Sequence, residues 1–445
     1  MLLRLLHRGY RLLFRIRRGL WHRVTPAGSF VLAGMALTAG AANPEQTLAL
    51  QVFLLLTSIA VLALISAPMF RARFSVERHV PRFATVGEPV SLRVRILNRA
   101  SYSLRALEYL EDLRETPLTP AQLEARIRPG RGNRSFRLVP SLPSLRSPQT
   151  RPVSVPALAP GASAEVRVEL QAWRRGPVEL AGGILAHLDP FGLFRAFRRS
   201  AAPQTILVLP PRFPLPALTL PGQSHYQRGG VSMASGVGEW EEFVALREYR
   251  RGDSLRRVHW RSSARLGELV VKEFQDEFLV RHALVLDTFC EASGDGLFED
   301  AVAVAASFAC TVPDQESLLD LLFVGPRAVS VTSGRGVGHA EQMLEVLAAV
   351  TPERTDRLQE LEAVVLQHRE ALSGCVLVLL QWDNPRREWV RRLKRLGLPT
   401  WVLLLLPGGE AEGFDPGPVS DRPDRLVLLE QGKIREGLAT LGGQE

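Results

Sequence analysis

The pattern of hydrophobic and polar positions divides the chain into three parts. Two uncharged apolar stretches come first, residues 24–42 and residues 47–70. Between about residues 74 and 210, apolar positions alternate with polar ones, as in residues 90–96, and this alternation predicts half-buried β-strands. From residue 240 onward, short continuous apolar runs alternate with helical patterns. That order predicts a mostly parallel sheet covered by helices on both faces.

The two apolar stretches are typical of membrane helices. A helix needs about 20 apolar residues to cross a bilayer, and residues 47–70 meet this requirement more fully than the Ala- and Gly-rich residues 24–42. Small residues allow two helices to approach closely, and residues 43–46 have turn chemistry. We therefore predict a two-helix transmembrane hairpin over residues 24–70. A cleaved signal peptide is the alternative for the first stretch, but a second span follows it at once.

Charge is concentrated at the N-terminus. The net charge is +9, and residues 1–23 hold seven arginines and no acidic residue. The remaining 48 basic and 46 acidic residues nearly balance, which argues against a nucleic-acid-binding body because such a body needs a basic face. Residues 1–23 predict either a basic amphipathic helix on anionic lipid or a simple topology signal.

The same charges predict an orientation. Arginines precede the first apolar stretch, and Arg71, Arg73 and Arg78 follow the second, whereas the turn between them holds only Glu45. Basic flanks remain on the cytoplasmic side of a membrane. The expected topology is a two-pass protein of the inner (cytoplasmic) membrane, with both termini and the soluble domains in the cytoplasm. The three widely spaced cysteines form no C-x-x-C pair and agree with a reducing compartment.

The expected fold class is multidomain. A basic amphipathic segment, residues 1–23, precedes the transmembrane hairpin, residues 24–70. An antiparallel β-sandwich of the immunoglobulin or fibronectin type follows over residues 71–210, without a titratable cluster in its sequence. A Pro/Gly-rich linker occupies residues 211–239, and residues 240–445 hold a charged motif and a doubly wound α/β domain.

The charged motif reads LREYRRGDSLRRVHWRSSARLGELVVKEF, from Leu246 to Phe274. Asp253 is a good N-cap for a helix over residues 254–265, which Gly267 would end before a strand at residues 268–274. On such a helix Arg256 and Trp260 would share a face and stack. Acidic residues interleave with the arginines, which disfavours a nucleic-acid patch and favours an Arg–carboxylate–aromatic network at a domain seam. The motif holds no nucleophile elbow and no metal-binding spacing.

This run resembles the signature of the bacterial family called domain of unknown function 58. The stretches Arg174–Val178 (RRGPV) and Asp189–Phe194 (DPFGLF) resemble the second hallmark of that family, while Arg251 stands where the family usually has Pro. The signature positions, which we expect to bind a partner, are Arg247, Glu248, Tyr249, Gly252, Asp253, Arg256, His259, Trp260, Ser263, Arg265 and Lys272.

The resemblance implies a membrane-anchored bacterial protein with a von Willebrand factor A-like α/β domain. Members of the family are often encoded beside MoxR-type AAA ATPases and transglutaminase-like membrane proteins. The expected partners are therefore a MoxR-type ATPase, membrane lipid and a transglutaminase-like membrane protein, but not nucleic acid. The implied role is that of an adaptor in complex assembly or envelope maturation.

The von Willebrand comparison also implies a candidate Mg²⁺ site. That fold uses Asp-x-Ser-x-Ser after its first strand, and this chain has Asp287 there but Phe289 and Glu291 at the two Ser positions. Asp383 stands where a later metal-binding Asp would fall. The alternative is that Asp287 only caps a strand-to-helix turn. With no catalytic constellation in the sequence, we expect a non-enzymatic protein; the alternative is a metal-assisted hydrolase using Asp287, Asp383 or His259.

Overall fold

The computed structural model of this protein describes most of the chain. The described residues are 8–10, 23–41, 47–66, 70–114, 127–129, 136–138, 148–216, 220, 242–275, 280–290, 296–311, 317–333, 337–409, 414–421 and 425–443. The chain divides into two compact units, residues 1–209 and residues 210–445.

Most of the predicted basic segment, residues 1–23, lies outside the described residues. After it, the first unit has two apolar helices that pack against each other, α1 (Pro26–Ala41) and α2 (Thr47–Ser66). A Cβ atom added to Gly34 would lie 3.2 Å from Cδ1 of Leu56, so this small residue permits close packing, as the sequence predicts. By length and composition, α2 qualifies as a membrane span, whereas the 16-residue α1 is shorter. The predicted turn at residues 43–46 lies outside the described residues.

The rest of the first unit is a β-domain of two sheets that share one hydrophobic core. One sheet has the order β1–β3–β9–β7, from strands β1 (Phe74–His79), β3 (Pro89–Asn98), β7 (Gln149–Thr150) and β9 (Ser163–Gln171). The other has the order β2–β11–β10–β4–β8, from β2 (Phe83–Thr85), β4 (Leu107–Leu113), β8 (Val153–Val155), β10 (Gly176–Leu188) and β11 (Arg195–Leu209).

The alternating sequence pattern matches the packing of these strands. In β3, Leu92, Val94 and Ile96 are buried while the residues between them are exposed. This confirms the prediction of half-buried strands, because successive side chains of a strand point to opposite faces. Residues 127–129 and 136–138, inside the expected long insertion, form a short antiparallel pair, β5 (Ile127–Pro129) and β6 (Phe136–Leu138).

The charged motif forms an antiparallel hairpin with a short helix in its connection. Strand β12 (Glu242–Glu248) pairs with β13 (Val270–Gln275), and helix α3 (Trp260–Leu266) lies between them in sequence. A single turn of 3-10 helix, Leu255–Arg257, precedes α3.

A six-stranded sheet forms the centre of the second unit, in the order β16–β15–β14–β17–β18–β19. Its strands are β14 (Val280–Leu286), β15 (Ser317–Val324), β16 (Ala328–Ser333), β17 (Gly374–Leu379), β18 (Thr400–Leu406) and β19 (Leu426–Glu430). Its helices are α4 (Gly296–Thr311), α5 (Val337–Ala349), α6 (Leu358–His368), α7 (Asn384–Arg395) and α8 (Ile434–Ala439). Every strand pair is parallel except β15 with β16, which confirms a mostly parallel sheet.

Helices cover both faces of this sheet. On one face, Trp389 of α7 and Leu361 of α6 share a core with Leu377. On the other face, Phe308 of α4 packs edge-on against Trp401. Strands β17 and β18 are buried along their whole length, which explains their uninterrupted apolar sequences.

The beginning of the expected linker lies against α4. The backbone N–H of Phe213 donates to Oγ of Ser307 at 2.9 Å, and the guanidinium of Arg435 lies over the Phe213 ring. Residues 211–216 therefore belong with the second unit, and most of the remaining expected linker is outside the described residues.

Candidate functional site

A bidentate ion pair organises the turn of the signature. Arg247 Nη1 and Nη2 donate to the two carboxylate oxygens of Asp253 at 2.7 and 2.8 Å, and Asp253 also accepts from the backbone N–H of Arg250 at 2.8 Å. The hydrogen bond from Arg247, followed by that from Arg250, lowers the pKa of Asp253 to about 2. Gly252 has a φ of 110°, which disfavours any side chain there.

The predicted helix cap at Asp253 is wrong. The carboxylate turns back to Arg247 on the strand instead of forward to the amides of residues 255 and 256. As a result, helix α3 starts only at Trp260, with His259 as its N-cap. Arg256 and Trp260 therefore do not share a continuous helix face, contrary to the predicted stacking.

His259 and Ser263 attach α3 to the hairpin. His259 Nδ1 accepts from the backbone N–H of Ser262, and it lies 2.8 Å from Oγ of Ser262. The buried Ser263 hydroxyl donates to the carbonyl of His259 and accepts from the N–H of Val270 at 2.9 Å. Gly267 ends α3 in the left-handed conformation, as predicted.

The outward side of the signature is apolar. Trp260 is 64% exposed and Leu266 is 69% exposed. Together with the exposed Leu246, Leu255 and Leu269, they form what we call the signature surface. Among the described residues of the second unit, every exposed large hydrophobic side chain belongs to this surface.

The remaining predicted signature positions lie around this surface or on the hairpin. Arg256 and Arg265 are exposed, as is Arg261 between them. Glu248 ends β12, the backbone N–H of Tyr249 donates to the carbonyl of Leu269, and Lys272 pairs with Leu246 across the hairpin. The signature thus divides into residues that hold the hairpin together and residues that project from it.

A second cluster lies at the carboxyl edge of the central sheet, where β14 and β17 end. Asp287 directly follows β14, and Asp383 caps α7 by accepting from the N–H of Arg386 at 3.0 Å. The Arg386 side chain joins the two carboxylates: Nε lies 2.7 Å from Asp287 Oδ2 and Nη1 lies 2.8 Å from Asp383 Oδ2. Asp356 lies 3.3 Å from the same Nη1. We call these four residues the carboxylate–arginine cluster.

The sequence did not single out Arg386, which lies in the first turn of α7. Both Arg386 and Asp287 are fully buried. Burial alone would lower the pKa of Arg386, but the hydrogen bond and the charge of Asp287 raise it, so the guanidinium stays protonated. A buried arginine at this position supplies the positive charge that the two aspartates need.

The cluster does not fit a divalent cation. Asp287 Oδ1 accepts from the N–H of Phe289 at 3.0 Å, and its Oδ2 accepts from Arg386. Both Asp383 oxygens are likewise bound to Arg386. A Mg²⁺ ion between these two carboxylates would have to replace a guanidinium that already occupies the space. The hydrogen bonds of Asp287 instead join the end of β14 to Phe289 and to Arg386.

A buried ionic group in the β-domain contradicts the expectation that this segment has no titratable cluster. Tyr109 Oη donates to Glu111 Oε1 at 2.7 Å, and Arg78 Nη1 lies 3.3 Å from Glu111 Oε2 with both side chains fully buried. A Cβ atom at Gly183 would meet Tyr109 Oη at 2.7 Å, so the glycine makes room for this group. Burial raises the pKa of Glu111. Strand alternation could not reveal the group, because Arg78 lies on β1 whereas Tyr109 and Glu111 lie on β4.

The second unit is therefore a mostly parallel α/β domain that carries an exposed signature hairpin. Residues 245–405 match the model of the family described as "Protein of unknown function DUF58". The match covers the signature and most of the central sheet, and it confirms the family resemblance. This chain carries a DUF58 region.

A relative in Bacillus subtilis (strain 168) agrees with this assignment. The uncharacterized protein YeaD is 31% identical over 125 residues, which are 28% of this chain and 30% of that protein. The chain thus matches less than a third of the length of this relative.

Two solved structures have low similarity to this chain. The CARDB domain of PF1109 from Pyrococcus furiosus has a TM-score of 0.17 at 10% identity, over 30% of this chain and 93% of that domain. Proximal thread matrix protein 1 from the mussel byssus has a TM-score of 0.28 at 8% identity, over 37% of this chain and 47% of that chain. Scores at this level define neither fold nor function.

Proposed function

We propose that this protein is a membrane-anchored interaction protein that binds its partner through the signature surface. The observation that carries the proposal is the concentration of exposed apolar side chains there. Soluble protein surfaces rarely group large apolar side chains unless the group binds a partner. The proposed partner is a MoxR-type AAA ATPase, as the family resemblance implies, and the proposed role is assembly or envelope maturation.

The signature surface is held rigidly, which supports a binding role. Val258, Val270 and Val271 are buried beneath it, and Val258 pairs with Val271 across the hairpin. The Arg247–Asp253 pair fixes the turn on one side and Ser263 fixes α3 on the other. A backbone that is already held in place loses less entropy on binding, so Trp260 and Leu266 are suited to anchor an interface.

The surrounding charges indicate the chemistry of the partner surface. Arg256, Arg261 and Arg265 are exposed beside the apolar side chains. A complementary surface would offer an apolar pocket for Trp260 and acidic residues at its rim. The transglutaminase-like membrane protein is a second proposed companion of the same complex.

The finer architecture belongs to the same proposal. We infer that α1 and α2 form a two-pass hairpin in the bacterial inner membrane, with both termini and the soluble domains in the cytoplasm. The arginines that flank the two helices support this orientation. The β-domain is proposed to be of the immunoglobulin or fibronectin type, and the α/β domain to be von Willebrand factor A-like, with Arg386 in place of a metal ion.

The alternative of a metal-assisted hydrolase has no support in the geometry. Asp287 and Asp383 are bound to Arg386, and His259 bonds to Ser262 at the start of α3. These bonds assign all three residues to local structure. The adaptor therefore remains the preferred function.

The test uses the full-length protein purified from its own membranes in mild detergent, with Mg²⁺ and a slowly hydrolysed ATP analogue. Mass spectrometry of the purified complex should find a stoichiometric AAA ATPase that is lost when nucleotide is omitted. In the double variant Trp260→Ala, Leu266→Ala, the amount of copurified ATPase should fall by at least tenfold. Anchor residues typically contribute 2 kcal/mol or more, about a factor of 30 in affinity.

A control variant tests whether the loss of any exposed, charged side chain reduces ATPase binding. Arg391 is an exposed arginine of α7 that pairs with Glu388, three residues earlier. Arg391→Ala should retain the ATPase fully. Equal retention by the double variant would reject the signature surface as the binding site, and absence of any AAA ATPase from the unsubstituted complex would reject the proposed partner class.

A further inference from the structure

The start of α1 is bonded to the DPFGLF turn, Asp189–Phe194, between strands β10 and β11. Thr25 Oγ1 donates to the carbonyl of Gly192 at 2.6 Å, and the backbone N–H of Thr25 donates to the carbonyl of Leu193 at 3.0 Å. Val24 also pairs with Phe194 as an isolated β-bridge. The DPFGLF turn therefore binds the start of the first apolar helix.

The chain that leaves α2 returns to the same end of the β-domain. Phe70 stacks on His187 of β10 with ring centroids 5.0 Å apart, and His187 Nδ1 lies 3.1 Å from the carbonyl of Ala106. Tyr102 donates its hydroxyl to the carbonyl of Arg71. The start of α1 and the segment at residues 70–71 after α2 therefore meet one edge, formed by the DPFGLF turn and the loop at residues 99–106.

The DPFGLF turn packs closely against the first residues of α1. A Cβ atom at Gly28 would lie 2.2 Å from the carbonyl oxygen of Leu193, so only glycine allows this approach. The turn itself is fixed by Asp189, whose Oδ1 accepts from the N–H of Phe191 at 2.7 Å, and by Gly192 at a φ of 69°. If α1 enters a bilayer, this edge must lie at the depth of the lipid headgroups.

The exposed side chains of this edge suit that depth. Within the described residues 70–209, Phe191 at 48% and Tyr102 at 45% are the two exposed large hydrophobic side chains. Both belong to the edge that holds the helices. Aromatic residues are enriched where membrane and water meet, because their rings tolerate the boundary between apolar and polar surroundings.

Exposed arginines accompany the two aromatic residues. Arg23 precedes α1, Arg71 follows α2, and Arg105 lies in the loop whose Ala106 carbonyl contacts His187. Each basic residue near an anionic membrane surface contributes about 1 kcal/mol of attraction. Phosphate groups of lipids are suitable acceptors for guanidinium groups.

We propose that this edge is a lipid-binding surface, in which Phe191 and Tyr102 enter the headgroup–acyl boundary and Arg71 and Arg105 bind anionic phospholipid headgroups. The inference rests on the membrane anchoring in the proposed function, and it assigns the DPFGLF turn a role in that anchoring. Continuity with both apolar helices favours lipid over a protein partner, because a bilayer that holds the helices also meets this edge.

The depth of the edge is measurable with nitroxide labels on the full-length protein in vesicles. Phe191→Cys is labelled in a background with Cys290→Ser and Cys310→Ser, and the vesicles contain roughly two parts phosphatidylcholine to one part phosphatidylglycerol. Glu88→Cys is the matched control. Glu88 is exposed at the opposite end of β3, about 30 Å from the edge at ~3.3 Å per residue.

Power-saturation spectroscopy compares the access of oxygen, which concentrates in lipid, with that of a nickel chelate, which remains in water. The label at position 191 should show a several-fold higher ratio of oxygen to nickel access than the label at position 88. Equal ratios at the two positions, in protein that resists extraction by alkaline carbonate, would overturn the lipid-binding surface and leave the membrane anchor intact. Extraction of the protein by carbonate would reject both.

The contribution of the arginines is tested separately. In the original background, raising the phosphatidylglycerol fraction should increase the oxygen-to-nickel ratio at position 191. The added substitutions Arg71→Gln and Arg105→Gln should remove this dependence. If the oxygen-to-nickel ratio at position 191 does not change with lipid charge, with or without the arginine substitutions, the edge does not bind anionic headgroups.

Discussion

Arg386 Nε donates to Asp287 Oδ2 at 2.7 Å, and both side chains are fully buried. The bond joins α7 to the end of the central strand β14. Because the same guanidinium also binds Asp383, one arginine pairs with both carboxylates that the sequence marked as metal ligands. The charge at this edge of the sheet therefore stabilises the fold.

Arg386→Ala should lower the free energy of unfolding by about 3–5 kcal/mol, because it leaves Asp287 buried without its partner. Urea unfolding followed by tryptophan fluorescence measures the change. Arg391→Ala, on the same helix but exposed, should change stability by less than about 0.5 kcal/mol. A loss below about 1 kcal/mol for Arg386→Ala, or stabilisation of the unsubstituted protein by Mg²⁺, would contradict the structural role of the pair.

The signature turn should respond to pH through Asp253. Its pKa is lowered from 3.8 to about 2 in the folded protein, so its contribution to stability is complete above about pH 4 and disappears as the pH falls through about 2. Hydrogen exchange of residues 246–274 should be faster in Asp253→Asn than in the original protein at pH 5. The two exchange rates should converge near pH 2.

Glu268→Gln is the control for this experiment, because Glu268 is an exposed carboxylate in the same segment. It should leave the exchange of the turn unchanged at both pH values. A difference between Asp253→Asn and the original protein that persists at the lower pH would mean that ionisation of Asp253 does not hold the turn.

Gly28→Ala should separate α1 from the DPFGLF turn. The added methyl group would lie 2.2 Å from the carbonyl oxygen of Leu193, and backbone atoms cannot move aside cheaply. We expect a lower melting temperature in detergent by differential scanning fluorimetry. Gly40→Ala, where nothing lies within 4 Å, should be neutral or slightly stabilising because alanine favours helix. Equal melting temperatures for the two variants would argue against the contact.

The three thiols should differ in reactivity. Burial raises the pKa of Cys375 to about 12, so only about one molecule in ten thousand carries the reactive thiolate at pH 8. Cys290 and Cys310 are partly accessible. A chromogenic disulfide reagent should therefore titrate no more than two thiols in the native protein and three after unfolding. The native count should be the same in Cys375→Ala, and a native count of three would contradict the buried position.

Local sequence determined the secondary structure of the central sheet and the alternating strands of the β-domain. Those patterns depend on residues two to four positions apart, so a single sequence displays them. The signature and the DPFGLF stretch were also visible as dense local motifs. Local reasoning in the signature failed at Asp253, whose carboxylate could either cap a helix or pair with an arginine, and the predicted stacking of Arg256 on Trp260 failed with it. The carboxylate binds Arg247, six residues earlier, and does not cap a helix.

Only the tertiary structure decided which distant residues meet. Arg386 and Asp287 are 99 positions apart, and Thr25 and Gly192 are 167 apart. No periodicity extends over such distances, because these contacts depend on the order of strands in a sheet and on the path of the chain between them. Exposure of Trp260 is likewise a tertiary property, since the sequence alone allowed the same residue to lie within a seam. Periodicity therefore determined the elements of this protein, and topology determined the charge pairs and surfaces that carry its proposed functions.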